Sequence, residues 1–115
     1  MKYMLLFVDE VDWERVPEAE SRVMFEKVGQ WWGQHSQAGL IESGAQLQPA
    51  RTATTVKFNG GKPVATDGPF IETKETIGGF AIVNVPDLDR ALDLAKSWPA
   101  QGKVEVRPLV ERGEA

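Results

Sequence analysis

Apolar residues recur along the chain with two different periods, and the switches between them mark out its elements. In residues 2–8 both alternate sets are apolar, Tyr3, Leu5 and Phe7 against Met4, Leu6 and Val8, which predicts a strand covered on both faces. Residues 9–17 are acidic and end at Pro17. They read as a surface loop with one aromatic, Trp13, placed either to fold over a pocket mouth or to pack on its nearest neighbour. From Glu18 to Ala38 the spacing turns helical. Met24, Val28, Trp31, His35 and Ala38 form one inward stripe, flanked by Phe25 and Trp32, and Gly39 stands where a left-handed C-terminal position favours glycine. Residues 40–47 predict a second strand, weakened by Gly44 and closed by Pro49.

Further on, residues 52–58 are rich in β-branched side chains, Asn59-Gly60 signals a two-residue hairpin turn, and residues 62–66 return as the partner strand. Residues 76–85 are again apolar on both faces and predict a central strand. Asp87 is the expected cap of a second helix with Leu88, Ala91, Leu92, Ala95 and Trp98 as its buried stripe, and Pro99 stops it. Val104, Val106, Pro108 and Val110 alternate with charges in a last strand, and the tail from Glu111 is polar. The succession predicts an α+β fold of ferredoxin-like type, two split βαβ units with an inserted β-hairpin. Right-handed crossovers put both helices on one side of the sheet. The other side would then carry a contiguous apolar patch larger than monomers tolerate. A second copy packed face to face about a two-fold axis would cover it, so a homodimer in the form of a dimeric α/β barrel is expected.

Composition narrows the function classes. At 115 residues the chain makes one domain, residues 1–115, with apolar (42%) and charged (26%) fractions ordinary for a globular protein. A formal charge of −4 and a pI near 5.0 argue against nucleic acid or an anionic membrane as partner. The apolar run of residues 3–8 is too short for a signal core or a membrane span, so a cytoplasmic location is expected. Without cysteine there is no disulfide and no thiolate nucleophile. Gly60-Gly61-Lys62 is no phosphate loop, because Val56 stands where the first Gly belongs and Pro63 replaces the Ser or Thr. No Ser has a Gly-x-Ser-x-Gly setting, and a single His cannot supply the usual zinc set; neither metal nor cofactor is expected.

What remains is acid/base or charge-based binding chemistry, and the stretch Asp67-Gly68-Pro69-Phe70-Ile71-Glu72-Thr73-Lys74-Glu75 carries more charge than a connector needs. Pro69 fixes its own φ and pushes Gly68 towards an extended conformation. It also denies Asp67 the amide two residues on, leaving only that of Phe70 in local reach. Asp67, at a strand end on a stiff turn, is thus the leading acid/base candidate. In extended backbone Glu72 and Lys74 share one side, with Thr73 and Glu75 on the other, so Lys74 could neutralise either glutamate or hold an anionic ligand. Arg107, beside Glu105, is a second anion holder. His35 is the one side chain with an unperturbed pKa near neutrality and the second acid/base candidate, Trp31 and Trp32 are a candidate aromatic wall, and Phe70 is a candidate lining residue beside Asp67 and His35. Each has a plainer reading: His35 and Trp31 as core members, the loop charges as a clamp or dimer contact, Glu105 and Arg107 as edge protection.

Asp67-Gly68-Pro69-Phe70, followed by Glu72-Thr73-Lys74-Glu75 and then Gly79, resembles the signature of the DGPF group within the YCII-related domain family. Residues 1–6, Ala38-Gly39-Leu40 with Leu47, and Val104-Glu105-Val106-Arg107-Pro108 fit the same family, so the resemblance covers nearly the whole chain. It implies a ferredoxin-like α+β domain that dimerises, with no established activity. It also implies genes that often neighbour sigma factors of the extracytoplasmic-function type. The wider family is associated with a His and Asp pair, but the DGPF motif contains no His, so that role is not transferred to His35. Two functions are expected. One is a homodimer binding a small molecule, with anions among the candidates, in a pocket beside the DGPF loop, with lyase, isomerase or hydrolase-like chemistry at Asp67; the other is a non-enzymatic regulatory partner of a sigma-factor-related protein.

Overall fold

The first strand, β1 (Lys2–Asp9), is central in the sheet. It lies between β5 (Thr76–Asn84) and β6 (Lys103–Pro108), with β2 (Ile41–Gln46) beyond β5. The arrangement is that of a computed structural model, which describes residues 1–69 and 75–112. All pairings in this four-stranded sheet are antiparallel. Two helices, α1 (Glu18–Gln37) and α2 (Leu88–Lys96), connect the strands. Both pack on the face that carries Tyr3, Leu5, Phe7, Ala81 and Val83, where Trp31, Ala91 and Leu94 complete the buried core. Each large side chain so buried contributes about 1.5–3 kcal/mol. This mixed α+β arrangement is compatible with the ferredoxin-like expectation. Among the described residues no helix is long and apolar enough to cross a membrane.

Local signals set the ends of the elements. Asp87 accepts a hydrogen bond from the Arg90 amide at 3.0 Å and caps α2, a contribution of about 1 kcal/mol. Gly39 follows α1 with φ +76°, the left-handed value expected there. The inserted hairpin pairs β3 (Thr54–Asn59) with β4 (Lys62–Asp67). Its two central residues are Gly60 and Gly61, one position later than Asn59-Gly60, because Asn59 pairs with Lys62 across the turn. Both glycines take positive φ, as the tight mirror-image turn demands. The hairpin is a sheet of its own rather than an extension of the main one, and Phe58 at its tip is 80% exposed.

Two parts of the helical reading shift. In α2 the buried positions are Ala91 and Leu94, while Leu88, the first residue of the helix, is exposed. In α1 only Trp31 of the predicted stripe is buried; Met24, Val28 and His35 are half-buried, and Ala38 is exposed at the helix end. The opposite face of the sheet carries Met4, Leu6, Val8, Phe80 and Ile82, all half-buried, with Met4 paired to Ile82 and Leu6 to Phe80.

Candidate ligand-binding cleft

The two helices are unequal, and the difference makes a site. α1 has 20 residues and α2 has 9, or about 30 Å against about 14 Å of length. α2 ends level with Trp31, whose indole Nε1–H donates to Ser97 Oγ at 2.8 Å. The first half of α1 therefore runs on past the end of its neighbour. Beneath it lies a cleft of about 440 Å³, roofed by Met24, Phe25 and Val28. Its inner end is aromatic: Phe7 stacks on Trp98 with ring centroids 3.8 Å apart, and Trp32 meets Phe7 edge-on at 6.1 Å. Trp32 can reach this position because the facing residue is Gly44, where a side-chain carbon would lie 2.5 Å from both the Trp32 ring and the Phe80 carbonyl oxygen.

One ionisable side chain lines the cleft among the described residues, Asp9. Strand alternation carries it to the helix side with Phe7, and a bulge makes room for it. Phe7 pairs with Gly79 but Val8 with Ile77, so Gly78 is an extra residue in β5. Asp9 Oδ2 lies over Gly78, where any side-chain carbon would collide with it. Asp9 Oδ1 accepts a hydrogen bond from Trp13 Nε1–H at 3.3 Å. Burial pushes the Asp9 carboxyl above the ordinary aspartate value, and the Trp13 bond offsets only part of that rise.

Trp13 is itself held in place. It packs on Phe25 with ring centroids 6.0 Å apart, and it opens a short 3-10 turn, Trp13–Arg15, capped by Asp12 Oδ1 through the Glu14 amide at 3.1 Å. Glu14 accepts a forked pair of bonds from Arg51, Nε at 3.0 Å and Nη2 at 2.7 Å. The guanidinium holds the Glu14 carboxyl below the usual glutamate range. Arg51 belongs to the turn that follows β2, so this clamp ties the loop after β1 to the opposite edge of the cleft.

Of the residues singled out from the sequence for a site, Trp13 and Trp32 line the cleft, and the other described ones lie elsewhere. Asp67 closes β4 opposite Thr54 and is exposed. Gly68 takes φ +101° rather than an extended value, held by its amide donating to the Ala53 carbonyl at 2.8 Å and its carbonyl accepting from Thr55 Oγ1 at 2.6 Å. Phe70, Glu72 and Lys74 lie outside the described residues. Glu75 accepts a hydrogen bond from Lys103 Nζ, which also lies 3.6 Å from Glu10 Oε1. Arg107 is exposed with its Nε 3.8 Å from Glu105 Oε2. Trp31 is buried in the core, and His35 packs edge-on against it at 5.0 Å, its pKa lowered by burial. Neither His35, Trp31 nor Asp67 lines the cleft. Among the described residues no group of three or more His, Asp or Glu could hold a metal ion.

The YCII-related domain family matches residues 1–112 of the chain. The chain belongs to this family. This YCII-related domain is also 40% identical over 77 residues to an uncharacterized protein of Rhizobium meliloti, a match covering 64% of this chain and 62% of that protein's length. Asp9 and the glycine pair Gly78-Gly79 carry the cleft of this YCII-related domain, and sequence reasoning passed over both. The signals were present. Strand alternation puts Asp9 on the same face as Leu5 and Phe7, and glycines inside a central strand mark a bulge or a close approach.

Proposed function

We propose that this YCII-related domain acts as a homodimer that holds a small molecule in the cleft under α1, where Asp9 orients the molecule and exchanges a proton with it. The observation that carries the reading is a half-buried carboxylate driven towards its neutral form, mounted beside a β-bulge and facing an aromatic-walled cleft. Its volume falls in the range of roughly 300–1,000 Å³ that small organic ligands occupy. The apolar walls supply binding without direction and the single carboxyl supplies direction. A carboxyl whose pKa is raised by burial holds its proton more readily than an ordinary aspartate and can deliver it and take it back, the step that lyase, isomerase and hydrolase-like reactions share. The apolar sheet face of Met4, Leu6, Phe80 and Ile82 supports the dimer, since a second copy would cover it.

Trp13, Trp32 and Trp98 line the cleft, so their indole N–H resonances report occupancy directly. A metabolite library screened by these signals should yield ligands, and Asp9→Asn compared with Asp67→Asn tells which carboxylate serves them. Loss with the first alone supports the cleft; loss with the second alone moves the site to the hairpin. Light scattering should give a dimer at micromolar concentration and a monomer for Leu6→Glu, and a monomeric native protein would refute the assembly. A regulatory role beside a sigma factor, the other expectation of the resemblance, predicts instead co-purification with such a protein and indifference to Asp9→Asn.

A further inference from the structure

Resting on the cleft reading above, the geometry points to the ligand's chemical class: a small organic cation, an ammonium or similar positively charged group on an apolar frame, seated between the aromatic walls with its charge on Asp9. The argument starts from what lines the cleft. Among the described residues its walls hold no Lys, Arg or His, and Asp9 is the one charge. Trp13 is the one hydrogen-bond partner of Asp9 among them, and it engages Oδ1 only. Oδ2 lies against Gly78 and has no hydrogen-bond partner among the described residues. The carboxylate has lost water on entering this site without gaining a cationic partner among the described residues. An anionic ligand would add a second uncompensated negative charge there, whereas a cation supplies what the site lacks.

The remaining walls favour the same sign. Trp13, Phe25 and Trp32 present π-systems, whose faces attract cations at ring distances up to about 6 Å. Met24 adds a polarizable thioether to the roof, and Gln46, whose amide can both accept and donate, suits a ligand of either sign. Among the described residues, Lys103 pairs with Glu75 and Glu10 and does not line the cleft. A chain of net charge −4 also draws cations towards it.

The test uses three probes on one aromatic frame: benzyltrimethylammonium, benzyl alcohol and phenylacetate, titrated against the native protein by Trp fluorescence and indole N–H shifts. Benzyltrimethylammonium is expected to bind about tenfold or more tighter than the other two. Asp9→Asn, which keeps the shape and removes the charge, is expected to reduce that preference to less than about threefold. Asp89→Asn, which removes one negative charge from the first turn of α2, controls for net charge and is expected to leave the preference intact. Alcohol or phenylacetate binding as tightly as the ammonium, or an unaltered preference in Asp9→Asn, overturns the assignment of a cation while the cleft stands. Failure of all three probes to bind overturns the cleft reading and this inference with it.

Discussion

The two ends of α1 meet one sheet through one helical periodicity, and they finish in opposite states. At the C-terminal end Trp31 is 4% exposed, bonded to Ser97, stacked edge-on against Trp98 and Phe7, and backed by Leu94 of α2. At the N-terminal end Met24, Phe25 and Val28 hang over a cleft, and Phe25 is 47% exposed. The stripe of apolar residues does not distinguish them. What differs is the neighbour within the helix layer. α2 is too short to reach the first half of α1, so that half is roofed on one side only, and the space is lined by side chains rather than filled by them. An apolar stripe thus says which face of a helix turns inward, and the length of the neighbouring element decides whether it meets a core or a cavity.

Substitutions along the helix should break that symmetry most visibly. Trp31→Ala removes a fully packed side chain with its indole bond and is expected to cost about 3–5 kcal/mol in denaturant unfolding. Val28→Ala, three residues earlier on the same stripe, enlarges a space that already exists and is expected to cost about 1 kcal/mol or less. Equal losses would mean that the cleft closes in solution and that the two halves are one core. The glycines under the roof give a second contrast. Gly44→Ala drives a carbon into the Phe80 carbonyl and the Trp32 ring, and overpacking of this kind costs about 1–3 kcal/mol. Gly78→Ala meets only the end of the Asp9 side chain, which can swing away, so its stability cost is expected to stay under about 1 kcal/mol while ligand binding suffers. A Gly78→Ala protein that binds as well as the native one would show that the position of Asp9 is irrelevant to the cleft.

These contrasts also mark what the sequence could and could not tell. The apolar pairs of β1 and β5, the cap at Asp87, the glycine after α1 and the hairpin were all legible, because each depends on residues adjacent in the chain or one period apart. The DGPF stretch drew attention because its charges are consecutive, yet Asp67 is exposed at the end of the hairpin and the next residues from Phe70 to Lys74 lie outside the described ones. Asp9 and Gly78 are far apart in the chain and meet only through the register of β1 on β5, including its one-residue slip. Trp13 and Arg51 likewise come together across the mouth of the cleft through Glu14. A site assembled from a strand end, a bulge and a loop leaves no run of residues to notice.

Asp9 gives the comparison a dependence on pH. Burial raises its pKa above the ordinary 3.8, so the folded protein binds the proton more tightly than the unfolded chain does. Between the two pKa values the unfolded state holds fewer protons, and stability falls as pH rises through that window. The cost is complete above the folded pKa and absent below the unfolded one. Asp9→Asn removes it, and Asn can still accept the Trp13 bond. The variant is therefore expected to melt a few degrees higher than the native protein at neutral pH and at the same temperature near about pH 3. A variant that melts lower at neutral pH would mean that the ionised carboxylate has a favourable partner, and the cleft would no longer be short of positive charge.

The smallest effect expected is at the clamp. Arg51 and Glu14 are both well exposed, their side chains 70% and 42% accessible, so the ion pair adds little to stability even though its forked geometry is good. Its consequence is positional: it holds the turn that carries Trp13, and Trp13 in turn holds Asp9 Oδ1. Arg51→Ala should leave the melting temperature almost unchanged, weaken binding of benzyltrimethylammonium by no more than about fivefold, and broaden the Trp13 indole resonance. High salt applied to the native protein should reproduce part of that broadening, since exposed charges are screened while the packing of Trp13 on Phe25 is not. A sharp Trp13 signal in Arg51→Ala would assign the position of the loop to that aromatic contact alone. A loss of binding well beyond fivefold would show that the open half of α1 depends for its shape on a single surface pair, which the packed half does not.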